Sequence, residues 1–98
     1  MPTGAGTATL NFGTHGTSNA SVVVTGQTGI TTDSLAESWV MASTTATNNA
    51  DNHSLFAAIA GVTVGSIVAG TGFTITAIST EPVSGSFLVE WVWSTPPV

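Results

Sequence analysis

The sequence contains no lysine, no arginine, no cysteine and no tyrosine. A chain without basic side chains cannot neutralise phosphates, which argues against nucleic-acid binding, and it has no cationic anchor for an anionic lipid surface. The absence of cysteine excludes disulfides and thiolate metal sites. The formal charge of −5 at pH 7 arises from acidic residues alone. We therefore expect neither a nucleic acid nor a membrane as a partner.

The composition predicts one domain, part of whose surface is covered in an assembly. A chain of 98 residues forms one domain with a modest core, here residues 1–98. Only 5% of the residues are charged while 42% are hydrophobic, so threonine, serine, asparagine and glycine must hydrate the surface. This weak hydration favours a homo-oligomer or a larger assembly. The alternative is a monomer kept in solution by its hydroxyl groups and its acidic residues.

Residues 86–94 carry the clearest structural pattern in the chain. Their large apolar side chains fall on one side of an extended backbone: Phe87, Val89, Trp91 and Trp93. Leu88, Glu90 and Val92 fall on the other side, and we expect the carboxylate of Glu90 on the solvated face. This period of two predicts a strand, and its aromatic content predicts that the strand is central to the core.

Five other segments are predicted as strands, namely residues 7–12, 20–25, 32–42, 54–64 and 73–80. Six or seven short strands separated by turn signals are typical of an all-β fold, a single antiparallel β-sandwich or small barrel. Residues 73–80 and 87–93 are expected to form a closing hairpin, the most stable unit of the fold. Residues 1–6 are interpreted as an N-terminal arm and residues 95–98 as a C-terminal tail.

Three segments leave alternatives open. Residues 32–42 also fit a short helix, because Ser34 and Glu37 match a capping box, but the strand is favoured and Trp39 is then expected in the core. The start of residues 54–64 also fits a short helix. Residues 55–78 carry no charge and contain a G-x-x-x-G pattern, which is compatible with a membrane helix. Four glycines and the lack of flanking basic residues favour strands there.

The titratable residues form no catalytic motif. Without lysine, arginine or tyrosine, an oxyanion or phosphate would have to be stabilised by backbone amides or by a metal. No G-x-S-x-G sequence or other nucleophile context is present. We therefore predict that the protein is not an enzyme, with no catalytic residues and no cofactor.

Asp51 and His53 are the candidate metal ligands, within the polar loop formed by residues 43–52 and the histidine that follows it. In an extended segment these two side chains would share a face and, with asparagine oxygens or His15, could hold a divalent ion. The alternative is a turn in which aspartate and asparagine side chains bond to nearby backbone. The turn is favoured, so the prediction is that no metal binds.

Five blocks of the sequence resemble small virion structural proteins of tailed bacteriophages. The blocks are A-S-V-V-V-T-G-Q (residues 20–27), A-E-S-W-V-M (36–41), A-D-N-H (50–53), V-A-G-T-G-F-T-I (68–75) and V-E-W-V-W (89–93). The resemblance covers about residues 8–93, and the blocks are patterns of a β fold rather than catalytic signatures. The chain departs from similar sequences in having no basic residue, so no binding residue is transferred from them.

The resemblance implies a protein of the virion, assembled in the host cytoplasm. The expected function is a capsid decoration, or cement, protein that binds the major capsid protein or other virion proteins and stabilises the shell. The alternative is a tail- or fibre-associated binding module. Its loops at residues 13–19 and 43–53 would contact another tail protein or a host glycan.

Overall fold

The computed structural model describes residues 3–41, 43–45 and 47–95. The elements are β1 (Thr3–Asn11), β2 (Thr17–Val24), β3 (Leu35–Val40), α1 (Ala50–Ile59), β4 (Ala60–Val68), β5 (Gly72–Val83) and β6 (Ser86–Ser94). The strands form two antiparallel three-stranded sheets, ordered β1-β6-β3 and β2-β5-β4. The prediction of a small all-β sandwich is confirmed.

The predicted central strand is β6, which lies between β1 and β3. Its four large apolar side chains point inward and are each at most 6% exposed. They meet the apolar face of β5, the central strand of the other sheet. Phe73 of β5 contacts Trp91 edge to face, with ring centroids 5.4 Å apart. The core is therefore formed where the two central strands face each other, because these strands carry the largest inward side chains.

Small residues on both neighbours of β6 make room for its tryptophans. Trp91 is flanked by Gly6 of β1 and Ser38 of β3. A Cβ atom at Gly6 would lie 2.6 Å from an indole carbon of Trp91, so the ring occupies the space of the missing side chain. Trp93 lies in the same way between Gly4 and Ala36. Residues 3–6 are thus part of β1, and the prediction that they form an arm is wrong for them.

The predicted hairpin between residues 73–80 and 87–93 is not formed. These segments belong to β5 and β6, which lie in opposite sheets. The hairpin is instead β4–β5, closed around residues 69–71, where Gly70 has a φ of 73°. Residues 84–85 carry the chain from one sheet to the other. β5 and β6 each pair with two other strands. Because the chain crosses from one sheet to the other between them, their aromatic inward faces pack against each other.

Residues 54–59 are helical, so the prediction of a strand over residues 54–64 is wrong for its first half. Helix α1 begins after Asn49, whose side-chain oxygen accepts a hydrogen bond from the backbone N–H of Asn52 at 2.9 Å. Its inward side chains are His53 and Phe56, spaced by three residues as a helix requires. The strand begins only at Ala60, with the β-branched residues of β4.

The uncharged stretch of residues 55–78 comprises the end of α1, strand β4 and most of β5. Within residues 3–41, 43–45 and 47–95, no helix has the length and apolar character needed to span a lipid bilayer. Residues 32–42 contain strand β3, which confirms the preference for a strand over a helix there. Of the predicted tail, Thr95 follows β6, and residues 96–98 lie outside the described residues.

Candidate functional site

The two candidate metal ligands lie in the first turn of α1 and not in an extended segment. Residues two apart on a helix point to different sides, so Asp51 and His53 do not share a face. Asp51 is exposed, whereas the side chain of His53 is completely buried. His15, the third candidate, is exposed in the loop between β1 and β2. The geometry that would have made Asp51 and His53 joint ligands is absent.

Both ring nitrogens of His53 are hydrogen-bonded to the backbone. The N–H of Leu88 in β6 donates to Nε2 at 3.0 Å, and Nδ1 lies 2.9 Å from the carbonyl oxygen of Asn49. Because Nε2 accepts a hydrogen bond, the ring hydrogen must be on Nδ1, which donates to the carbonyl oxygen of Asn49. The ring also contacts Phe87, with centroids 5.1 Å apart. His53 is therefore a structural residue that connects α1 to the central strand.

The polar loop before α1 completes the hydrogen bonding of β6 where β3 has ended. On the β3 side of β6, just beyond the end of β3, the backbone N–H of Met41 donates a hydrogen bond to the carbonyl of Leu88. Two residues further along, Ser86 donates its N–H to Oγ1 of Thr47 at 2.8 Å. Its carbonyl accepts from the hydroxyl of Thr45 at 2.9 Å and from the amide of Asn48 at 3.0 Å. Side chains thus take the place of an edge strand.

The hydrogen bonds of the loop confirm its interpretation as a turn only in part. Asn49 bonds to nearby backbone as that interpretation requires, but Thr45, Thr47 and Asn48 bond to a strand distant in sequence. In the part of the chain that the structure describes, no group of three or more histidine, aspartate and glutamate side chains could hold a metal ion. The polar composition of the loop is explained by its contacts with β6.

The candidate site is the outward face of the β1-β6-β3 sheet, where exposed apolar side chains lie next to two carboxylates. We call it the outer β6 face, formed by Ala5, Leu35, Glu37, Trp39, Leu88, Glu90 and Val92. Leu35 is 66% exposed, Trp39 is 41% exposed and Val92 is 37% exposed. The prediction that Trp39 lies in the core is therefore wrong. A shallow depression of about 670 Å³ crosses this face between Ala5 and Leu35.

The register fixes how the carboxylates and apolar residues alternate. Glu90 is paired with Trp39 on one side and with Thr7 on the other, and Glu37 is paired with Val92. The two carboxylates are thus diagonal neighbours on adjacent strands, with Cα atoms roughly 7–8 Å apart in such a pair. Glu90 is half-buried and points outward, as predicted. Neither carboxylate accepts a hydrogen bond from any described residue.

The outward face of the other sheet has a different character. Its central row consists of the hydroxyl residues Ser21, Thr76 and Thr63, which lie side by side on β2, β5 and β4. The apolar residues Val23 and Ile78 are exposed by 64% and 63% on either side of that row. The outer β6 face therefore carries two carboxylates, whereas this hydroxyl row and its two apolar neighbours carry none.

The edge strands of both sheets are almost free of charge. Strands β1 and β3 are the edges of one sheet, and β2 and β4 are the edges of the other. Of these, only β3 contains a charged residue, Glu37. Edge strands of monomeric proteins usually carry charges or prolines that prevent pairing with another chain. These edges have little protection of that kind.

The two loops predicted to bind in the alternative function lie together at one end of the sandwich. Gly13 and Thr14 from the first loop and Thr47 from the second line a depression of about 440 Å³ with residues 84–86. The N–H of Gly85 donates to the carbonyl of Gly13 at 2.9 Å, which holds the first loop against the turn. Residues 17–19 of the first loop belong to β2.

Comparison of this chain with protein-family models, curated proteins and solved structures finds no match.

Proposed function

We propose that this protein is a non-enzymatic structural protein of a bacteriophage virion, which decorates the capsid shell and stabilises it. The observation that carries the proposal is the outer β6 face, a sheet surface that exposes Leu35, Trp39 and Val92 together. Contiguous exposed apolar residues with a polar rim are typical of protein interaction sites. The part of the proposal that assigns the protein to a virion rests on the sequence resemblance.

The proposed mechanism is the addition of buried apolar area across joints between shell subunits. Burying a large exposed apolar side chain stabilises an interface by about 1.5–3 kcal/mol before the costs of association. Leu35, Trp39 and Val92 are between 37% and 66% exposed, so burying their remaining exposed area supplies about 2–4 kcal/mol for each bound copy before those costs. A protein that binds only the assembled shell stabilises it by mass action, because the shell must lose these contacts before it can open.

The proposal includes self-association of the decorating protein. Uncharged edges on β1, β2 and β4 support it, since such edges can pair with a strand of a neighbouring copy. The hydroxyl face also supports it, because two copies could approach there without bringing carboxylates together. The expected partners are thus the major capsid protein and further copies of this chain.

A second candidate function is a tail- or fibre-associated module that binds a host glycan or another tail protein. The observation that favours it is the depression between the loop that contains Gly13 and the loop that contains Thr47. Its lining offers hydroxyl, amide and backbone groups of the kind that bind sugars. The two functions differ in the number of copies that a particle requires.

The test is the copy number of this chain in purified particles, measured by quantitative mass spectrometry against the major capsid protein. Capsid decoration predicts on the order of hundreds of copies per particle, comparable with the number of capsomers. A few copies to some tens would instead support the tail-associated function. Absence of the chain from purified particles would contradict both functions.

A further inference from the structure

The outer β6 face combines exposed apolar area with two carboxylates, Glu37 and Glu90. The chain contains no lysine or arginine, so neither Glu37 nor Glu90 can form a salt bridge with such a side chain of its own molecule. Each carboxylate has an apolar cross-strand neighbour, Val92 beside Glu37 and Trp39 beside Glu90, and Glu90 has Thr7 on its other side. Any protein that covers this face must therefore remove the two carboxylates from water.

A covered carboxylate needs a donor from the covering molecule. Burying an unpaired charge is strongly unfavourable, whereas a charge-assisted hydrogen bond from arginine or lysine offsets the loss of water. Face-to-face packing of two copies would bring four carboxylates together with no basic residue to neutralise them. A second copy of this chain is consequently a poor occupant of the face, although it remains compatible with the edges and the hydroxyl face.

We propose that the outer β6 face binds a protein surface that presents arginine or lysine side chains among apolar ones. The inference rests on the proposed function as an assembly protein and specifies the chemistry of its partner. A guanidinium group placed over the sheet could bond to Glu90 and stack on the adjacent indole of Trp39. Glu37 provides a second anionic contact one row away, and Leu35 and Val92 bury the apolar part of the partner.

The experiment uses the full chain and a short peptide of alternating arginine and valine as the probe. Binding is followed by tryptophan fluorescence, because Trp39 is exposed whereas Trp91 and Trp93 are only 6% and 4% exposed. A peptide with glutamine in place of every arginine serves as the uncharged comparison. We expect the arginine peptide to change the Trp39 emission and the glutamine peptide to bind at least about tenfold more weakly.

Matched charge variants separate a local site from the overall negative charge. The double variant Glu37→Gln/Glu90→Gln should weaken peptide binding by about tenfold or more. The double variant Asp51→Asn/Glu81→Gln removes the same charge from exposed positions away from this face and should change binding by less than about twofold. Equal loss in both variants would overturn the inference, because binding would then follow net charge. Absence of any arginine-peptide binding by the wild-type chain would also overturn it.

Self-association at this face would contradict the inference in another way. Analytical ultracentrifugation of the wild-type chain and of Trp39→Ser measures whether the face joins two copies. A wild-type dimer that this substitution converts to a monomer would show that a second copy covers the face. These experiments use the isolated chain, so their outcome is independent of its copy number in purified particles. That copy number tests only whether the protein belongs to a virion. Thermal unfolding of each variant confirms that it is folded.

Discussion

Replacement of His53 should destabilise the protein far more than replacement of its other histidine. The imidazole is completely buried, accepts the N–H of Leu88 and packs against Phe87. In His53→Ala the Leu88 amide loses its acceptor, which costs about 1–3 kcal/mol when the group stays away from water. The cavity left by the ring adds about 2 kcal/mol, at the lower end of large-to-small substitutions.

The expected loss for His53→Ala is therefore about 3–5 kcal/mol of unfolding free energy. This is a large fraction of the roughly 5–15 kcal/mol that stabilises a domain of ordinary size. The carbonyl of Asn49 does not add to the loss, because it still accepts the backbone N–H of residue 53 at 3.0 Å. His53→Phe retains an aromatic ring but removes the acceptor, so it should lose about 1–3 kcal/mol.

Urea unfolding monitored by tryptophan fluorescence provides the free energies, and His15→Ala is the control. His15 is exposed in a loop, so its replacement should change stability by less than about 0.5 kcal/mol. Amide hydrogen exchange should also show reduced protection of Leu88 in His53→Phe. The reasoning would be refuted if His53→Phe were as stable as His15→Ala with the protection of Leu88 unchanged, because the histidine would then not complete the sheet.

Two further predictions concern the tryptophans of β6. Gly6→Ala should destabilise the protein by about 1–3 kcal/mol in the same urea assay, since its Cβ would overlap the ring of Trp91. Gly61→Ala is the control. No atom lies within 4 Å of its new Cβ, so this variant should be neutral or slightly stabilising. Gln27→Leu removes the acceptor that lies 2.9 Å from Nε1 of Trp93 and should cost about 1–2 kcal/mol. An unchanged indole N–H resonance of Trp93 in that variant would contradict the bond.

Local periodicity was sufficient to predict most strands and the direction in which β6 faces. Alternation of side chains is a property of the extended backbone itself, so Phe87 and Trp91 could be assigned to the core and Glu90 to the outside. The same information could not say which strands pair. Residues 73–80 and 87–93 are close in sequence and resemble a hairpin, but they are the centres of two different sheets.

The outer β6 face shows why the candidate site was only partly predictable. Alternation divided β3 into two sets of residues without indicating which set is buried. The side-chain size that fits at the inward positions determines which set is buried. Trp91 and Trp93 on the neighbouring strand leave space only for small residues, Ser38 and Ala36. The larger residues Leu35 and Trp39 are consequently outside.

The loop before α1 follows the same principle. Its asparagine and threonine residues predicted a turn, and they gave no sign of the distant strand to which they bond. That bonding exists because β3 ends at Val40 and leaves the N–H and carbonyl of Ser86 without a neighbouring strand, just as it leaves the N–H of Leu88 to His53. The sequence alone therefore determined the charge, the strand period and the inward face of β6. Tertiary structure decided strand pairing, the exposure of Trp39 and the role of His53, because each depends on which distant residues occupy the adjacent space.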